Sequence, residues 1–239
     1  MDRSFIDLHC HTSASFDSLA DPVKVARAAA SRGLTHLIVT DHDRIDGALR
    51  ARDAAPDGLT VIVGEEVKTA DGDLICAFLE RAIPPGLSAV DTIEAAREQG
   101  GLVGIPHPFD RFRGSLSKSA QLAAIAPLVD WGEVHNARLV GGGNDEAAVF
   151  AREHDRPGVA VSDAHSVLEV GVAYTVLDGD PSTASGLLAA LAGLADSGTT
   201  ELVAGRASYT IRLWTPIAKA VQRLRGNGRV GPGMPGMPE

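Results

Sequence analysis

Six of the eight histidines, with several carboxylates, crowd into short motifs at the ends of apolar runs. His9 and His11 stand in Asp7-Leu8-His9-Cys10-His11, and His42 in Thr40-Asp41-His42-Asp43. Glu66 follows Gly64-Glu65, His107 lies in Ile105-Pro106-His107-Pro108, and Asp163 and His165 lie in Ser162-Asp163-Ala164-His165. His135 ends Glu133-Val134-His135. Imidazole and carboxylate are the donors of divalent metal sites, and His-x-His on a strand offers two nitrogens on one side. The alternative for that pair alone is two hydrogen-bonded core histidines. Five strand ends finishing in such residues favour a multinuclear metal site, because burying that many polar groups without a ligand is costly. His36 begins its run about 20 Å from His42 and reads as structural. His154, in the last turn of a polar helix, reads as solvated. His135 stays open as a ligand or substrate contact.

Positioning these groups requires repeated strand and helix units. Strand-like runs cover residues 5–11, 36–42, 60–66, 73–79, 101–107, 131–135 and 157–163, with 173–177 a further candidate. Helix-like runs cover 21–32, 45–53, 90–99, 144–154 and 181–195. Asp21-Pro22 is a helix start, and Gly33 a C-terminal stop. Alternation on residues 5–11 puts Ile6, Leu8 and Cys10 on a helix-facing side and Asp7, His9 and His11 inward. The pattern predicts a mainly parallel α/β sheet with chemistry at the strand C-termini; seven or eight strands suggest a closed or nearly closed barrel, and periodicity alone leaves an open sheet as the alternative. Residues 1–225 read as one domain. They end in an amphipathic run, 209–225, with Ile211, Trp214, Ile217, Val221 and Leu224 at helical spacing and basic Arg212, Lys219, Arg223 and Arg225. That run docks on the barrel or touches a membrane or an acidic partner. Residues 226–239, rich in Gly and Pro, read as a disordered tail.

The chain has 239 residues and a formal net charge of −9. That charge argues against general binding to nucleic-acid backbone but leaves room for phosphorylated ligands, since metals supply local positive charge. Two cysteines, Cys10 and Cys76, make no disulfide framework. Neither a signal peptide nor a transmembrane run is evident, so the expected location is cytoplasmic. Oligomeric state is not legible.

The four motifs Asp7-Leu8-His9-Cys10-His11-Thr12, Thr40-Asp41-His42-Asp43, Ile105-Pro106-His107-Pro108 and Ser162-Asp163-Ala164-His165 together resemble the PHP superfamily, named for polymerase and histidinol phosphatase domains. The resemblance covers roughly residues 5–177. Gly64-Glu65-Glu66 and His107-Pro108-Phe109-Asp110-Arg111 look like its small stand-alone members. It implies a distorted (β/α)7 TIM-like barrel with two or three divalent ions: manganese, iron or zinc. By that resemblance His9, His11, Glu66 and Asp163 hold the first. Glu66 bridges to a second, shared with His107. Asp17, His42 and His165 hold a third. Where the family usually has another histidine for the second metal, this chain has Asp73, a harder donor that favours manganese or iron over zinc. The alternative for Asp73, as for Asp17, is a loop residue.

Such a site fits a metal-dependent phosphoesterase, cleaving a phosphomonoester or phosphodiester of a small molecule or nucleotide through metal-activated hydroxide without a protein nucleophile. Arg111, Arg113 and Arg138 are candidates for a phosphate clamp, with His135 a further substrate contact. The loops 108–121 and 138–145 are candidates for setting specificity. Two other readings are an amidohydrolase acting at carbon and a non-catalytic metal-binding interaction module.

Overall fold

The computed structural model describes residues 3–110, 115, 119–197, 202–208, 210 and 213–228. Its strands are β1 (Arg3–Cys10), β2 (His36–Val39), β3 (Thr60–Lys68), β4 (Asp73–Ala77), β5 (Leu102–Ile105), β6 (Trp131–Asn136), β7 (Gly158–Val161), β8 (Ala173–Asp178) and β9 (Leu202–Ala204). Its helices are α1 (Pro22–Ser31), α2 (Asp46–Asp53), α3 (Ala89–Arg97), α4 (Ser119–Ile125), α5 (Gly143–Glu153), α6 (Ala184–Ser197) and α7 (Trp214–Leu224). Residues 229–239 of the expected tail lie outside the described residues.

The strands form one sheet in the order β7-β6-β5-β4-β3-β2-β1-β8-β9. It is more mixed than the sequence predicts. β4 runs antiparallel to both β3 and β5, and β8 antiparallel to β1 and β9. The cause is connection length: only residues 69–72 separate β3 from β4, whereas a parallel crossover needs about a dozen residues. The sheet curls into a nearly closed barrel. At its lower end β8 pairs with β1 and touches β7 through Thr175, whose hydroxyl bonds both N–H and C=O of Ala160. At its upper end the chain leaving β7 meets β1 directly, with Asp163 N–H donating to His9 O (2.9 Å) and His11 N–H to Ala164 O (2.8 Å). This is the distorted TIM-like barrel expected.

Two apolar clusters flank the sheet. The interior one joins Ile6, Leu8, Ile38, Ile62, Ile75 and Trp131, with Leu187 and Leu191 of α6 added. The outer one packs Leu37, Val39, Val61 and Val63 under Val25, Ala29 and Ala48 of α1 and α2. Trp131 is fully buried against β5, and a Cβ on Gly104 would fall 2.1 Å from its indole. Glycine there lets β5, which leads to His107, lie close to β6.

At α1 the predicted cap is present: the Asp21 carboxylate accepts from the N–H groups of Val23 and Lys24, with Pro22 at the first helical position. α4 falls partly in the stretch read as loop, because it is short and nothing in 108–121 marks its start. No described helix is long and apolar enough to cross a membrane.

Candidate metal centre

The two histidines of β1 reach the barrel mouth by a route that simple alternation misses. Pairing of β1 with β2 slips between Asp7 and Cys10, which marks a β-bulge. Before the bulge Ile6 and Leu8 point into the barrel, opposite to the predicted side. After it Cys10 faces the helices, as expected, and His9 and His11 point toward the mouth. Asp7 does not join them. Its carboxylate accepts from the N–H groups of Ser162 and Gly171, tying β1 to the chain around β7.

Glu66, at the end of β3, is the hub. Its Oε2 lies 3.4 Å from His9 Nε2, 3.3 Å from His11 Nε2 and 3.2 Å from His42 Nδ1, and its Oε1 lies 3.1 Å from His107 Nε2. Asp163 Oδ1 lies 3.4 Å from both His11 Nε2 and His165 Nδ1. Asp17 Oδ2 lies 3.4 Å from His42 Nε2 and 3.3 Å from His165 Nε2. Ligand atoms of His11, Asp17, His42 and His165 fall within 4.8 Å of one another, as do those of His9, His11 and Asp163. Asp43, His107 and Asp163 carry positive φ values of 56°, 29° and 51°. Such backbone is strained for residues with a Cβ, and it is concentrated where strands end in these groups.

Hydrogen bonding aims lone pairs at one another. His9 Nδ1–H donates to Glu133 Oε1 at 2.6 Å, which leaves the Nε2 lone pair facing His11 Nε2 at 2.9 Å. His165 Nδ1–H donates to Asp163 O at 2.9 Å, which turns its Nε2 lone pair toward the Asp17 carboxylate. Asp17 Oδ1 is buried without a hydrogen-bond partner among the described residues. Facing lone pairs repel unless a proton or a cation sits between them, so these donors fit divalent ions. Without ions, a proton takes that place at His11. Burial pulls the His11 imidazole down, but Asp163 and Glu66 outweigh it and hold the group at about 9. Burial likewise opposes the charge on Asp17, yet His165 and His42 keep its carboxyl well below the usual range.

The remaining predicted site residues are placed as follows. Asp73 opens β4 opposite Lys68, 3.4 Å from its Nζ, and is in neither group of converging ligand atoms. His135 is turned away, its Nε2 donating to Gly205 O at 2.8 Å. Arg138 is nearly buried, bonded to Glu169 and to Thr215 Oγ1, so in this structure its guanidinium serves as a brace. Arg111 and Arg113 lie outside the described residues.

Sequence reasoning missed Glu133 and Asn136. A second bulge, between Glu133 and His135, sends both into the centre while turning His135 out. Glu133 Oε2 accepts from His107 N–H (2.7 Å) and Asn136 Nδ2 (2.9 Å), and Asn136 Nδ2 also donates to Asp163 Oδ2 (3.1 Å). One carboxylate thus braces β1, β5 and, through Asn136, the end of β7. The available signal was a glutamate inside the apolar run Trp131-Gly132-Glu133-Val134.

Residues 7–140 match the family model described as PHP domain, and residues 141–193 the one described as PHP-associated. The chain belongs to the PHP family. An uncharacterized protein from Methanocaldococcus jannaschii is 32% identical over 173 residues, 71% of this chain and 68% of that protein. A two-domain structure from Bacteroides vulgatus, containing a predicted PHP-like metal-dependent phosphoesterase, aligns with a TM-score of 0.67 at 20% identity, over 80% of this chain and 62% of that one. The lesion-specific endonuclease Q of Pyrococcus furiosus aligns with a TM-score of 0.61 at 19% identity, over 84% of this chain and 58% of that one. Both likenesses are of fold, and this PHP chain spans less than two thirds of either structure.

One buried carboxyl beside the hub serves another end. Glu65, on the opposite face of β3, accepts from Ile83 N–H with Oε2, while Oε1 has no hydrogen-bond partner among the described residues. Burial pushes it from the usual 4.5 to about 8. Between those values the folded chain holds a proton that the unfolded chain has released, so this group makes stability fall as pH rises through that window. Glu65→Gln mimics the protonated form. Its melting temperature should match wild type near pH 5 and exceed it by at least about 5 °C at pH 9. A difference independent of pH would contradict this.

Proposed function

We propose that this PHP protein is a metal-dependent phosphoesterase acting on a small phosphorylated molecule or nucleotide. The observation that carries the reading is the single carboxylate of Glu66 among four imidazoles, flanked by Asp17 and Asp163, at the mouth of the barrel. In this reading His9, His11, Glu66 and Asp163 hold one divalent ion, Glu66 and His107 share a second, and Asp17, His42 and His165 hold a third. Asp73 is a further donor for the second position, for which the Lys68 ammonium competes. With Asp73 bound there, a carboxylate in place of an imidazole suits manganese or iron better than zinc. When bound, divalent ions supply Lewis acidity toward phosphoryl oxygens and acidify water.

The chain's own residues do the positioning. Glu133 fixes the tautomer of His9, and the Asp163 carbonyl fixes that of His165. Asn136 orients the Asp163 carboxylate, and Ser115 Oγ, 2.7 Å from His107 Nδ1, orients that ring. With Arg138 engaged by Glu169, Arg111 and Arg113 are the arginines left as candidates for a phosphate clamp. We also read residues 1–225 as a single domain with α7 as its last element.

The fold itself accommodates nucleic acid, since one structural neighbour is a lesion-specific endonuclease. Preference for a small ligand over a nucleic-acid backbone therefore rests on the net charge of −9. The test is the manganese-loaded protein against phosphomonoesters, linear and cyclic phosphodiesters, nucleotides, short DNA, and amide and lactone controls. Chelator-sensitive hydrolysis of at least one small phosphoester is expected. Turnover of amides or lactones alone, cleavage of DNA alone, or no turnover at all would each overturn the reading.

A further inference from the structure

The C-terminal helix inverts the usual rule of burial. α7 leaves Leu213 just before it and Trp214, Ile217 and Leu224 exposed, yet it buries the amide of Gln222 to 2% exposure. Large apolar groups outside and a polar one inside imply that the polar group has a specific task. Gln222 Nε2 lies 2.7 Å from Ser13 O, 3.0 Å from Ser15 O and 2.7 Å from Ser18 O. These carbonyls belong to the loop between β1 and α1, the loop that carries Asp17. Asn227 adds a bond from Nδ2 to Ala14 O at 2.9 Å, and Arg44 holds Asn227 Oδ1 at 2.8 Å.

The same loop touches every member of the Asp17 group. Ser15 Oγ lies 3.0 Å from His11 Nδ1 and accepts from His42 N–H at 3.1 Å. Ser18 Oγ donates to His165 O at 2.9 Å. On its other side the loop is gripped by Asp41, whose carboxylate accepts from Thr12 N–H and Oγ1 and from Ser15 N–H and Oγ. Asp41 therefore takes the loop's donors while Gln222 serves its carbonyls. The ligand atoms around Glu133 depend on a different clasp.

We propose that Gln222 is a positioning residue for the cation held by Asp17, His42 and His165, so that α7 controls occupancy of that position separately from the other two. This rests on reading those residues as a cation site. Removing the amide takes that donor from Ser15 O and Ser18 O and leaves Ser13 O only the longer contact from Asn227 Nδ2 at 3.5 Å, and the loop gains freedom to carry Asp17 away from His42 and His165.

The test titrates manganese alone into the full chain and counts bound ions by equilibrium dialysis with elemental analysis, in wild type, Gln222→Leu and Gln222→Lys. Leucine keeps the volume without a donor, and lysine restores donors toward the carbonyls. Wild type is expected to bind three ions. Gln222→Leu should keep two, with the weakest step lowered about tenfold or more, and with faster hydrogen exchange confined to residues 12–20. Gln222→Lys should recover the third ion. Three ions bound with unchanged affinity by Gln222→Leu would overturn the proposal alone. Fewer than three in wild type would overturn the reading of the Asp17 group, and the proposal with it. Should the leucine variant fail to fold, a folded lysine variant lacking the third ion would also overturn it.

Discussion

Glu66→Gln is expected to strip the centre of most of its metal and to lower phosphoester turnover by at least about 10³-fold, about 4 kcal/mol of transition-state stabilisation. The substitution keeps the shape and removes one negative charge. In the wild type, burial disfavours that charge, but His42 and hydrogen bonds from His107, His11 and His9 hold the carboxyl well below the usual carboxylate range. An amide would turn at least one N–H toward these nitrogens and could not bridge two cations. Metal content per chain and steady-state rates in manganese check the outcome. Full metal with near-normal turnover would remove Glu66 from its central place.

Glu133→Gln is the second large effect, and it acts at one remove. Three donors converge on Glu133: His9 Nδ1, His107 N and Asn136 Nδ2. Two carboxylate oxygens accept all three. A glutamine offers one oxygen and one NH₂ group, so at least one contact becomes donor against donor. The His9 ring feels it most. Burial pulls its imidazole down, while Glu133 and Asp163 hold it well above its usual value. Metal affinity is expected to fall about 10–100-fold, with turnover partly recovered at high manganese, because the ligands themselves remain. A loss of turnover that no manganese concentration relieves would contradict a positioning role. In the proposed reading the two variants differ in kind: one loses a ligand that excess metal cannot replace, the other loses the alignment of ligands still present.

The sequence reveals the centre better than its surroundings, for a physical reason. The proposed metal donors sit at strand ends, where the backbone leaves the sheet and side chains converge, so His42, Glu66, His107, Asp163 and His165 can be located from motif and strand pattern together. What period-two reasoning loses is everything beyond a bulge. In β1 it puts Ile6 and Leu8 on the wrong face although it places Cys10 correctly, because the slip falls between them. In β6 it draws attention to His135, the conspicuous type, while the slip delivers Glu133 and Asn136. A bulge changes pairing by one residue and leaves composition untouched. The antiparallel β4 was legible from the six residues between the runs 60–66 and 73–79, too few for a parallel crossover, but is masked by the surrounding strand and helix alternation. Gln222 was not legible at all. Its partners are backbone carbonyls more than 200 positions away, and carbonyls carry no sequence signature. Arg138 shows the converse: its type suggested phosphate, and its position gives it to Glu169.

Crystals grown with manganese, measured at a wavelength where it scatters anomalously, test the centre most directly. Three peaks are expected: one among His9, His11, Glu66 and Asp163, one between Glu66 and His107, and one among Asp17, His42 and His165. Absence of any peak within ligand distance of Glu66, with the imidazoles instead hydrogen-bonded to carboxylates and water, would contradict a metal-dependent enzyme.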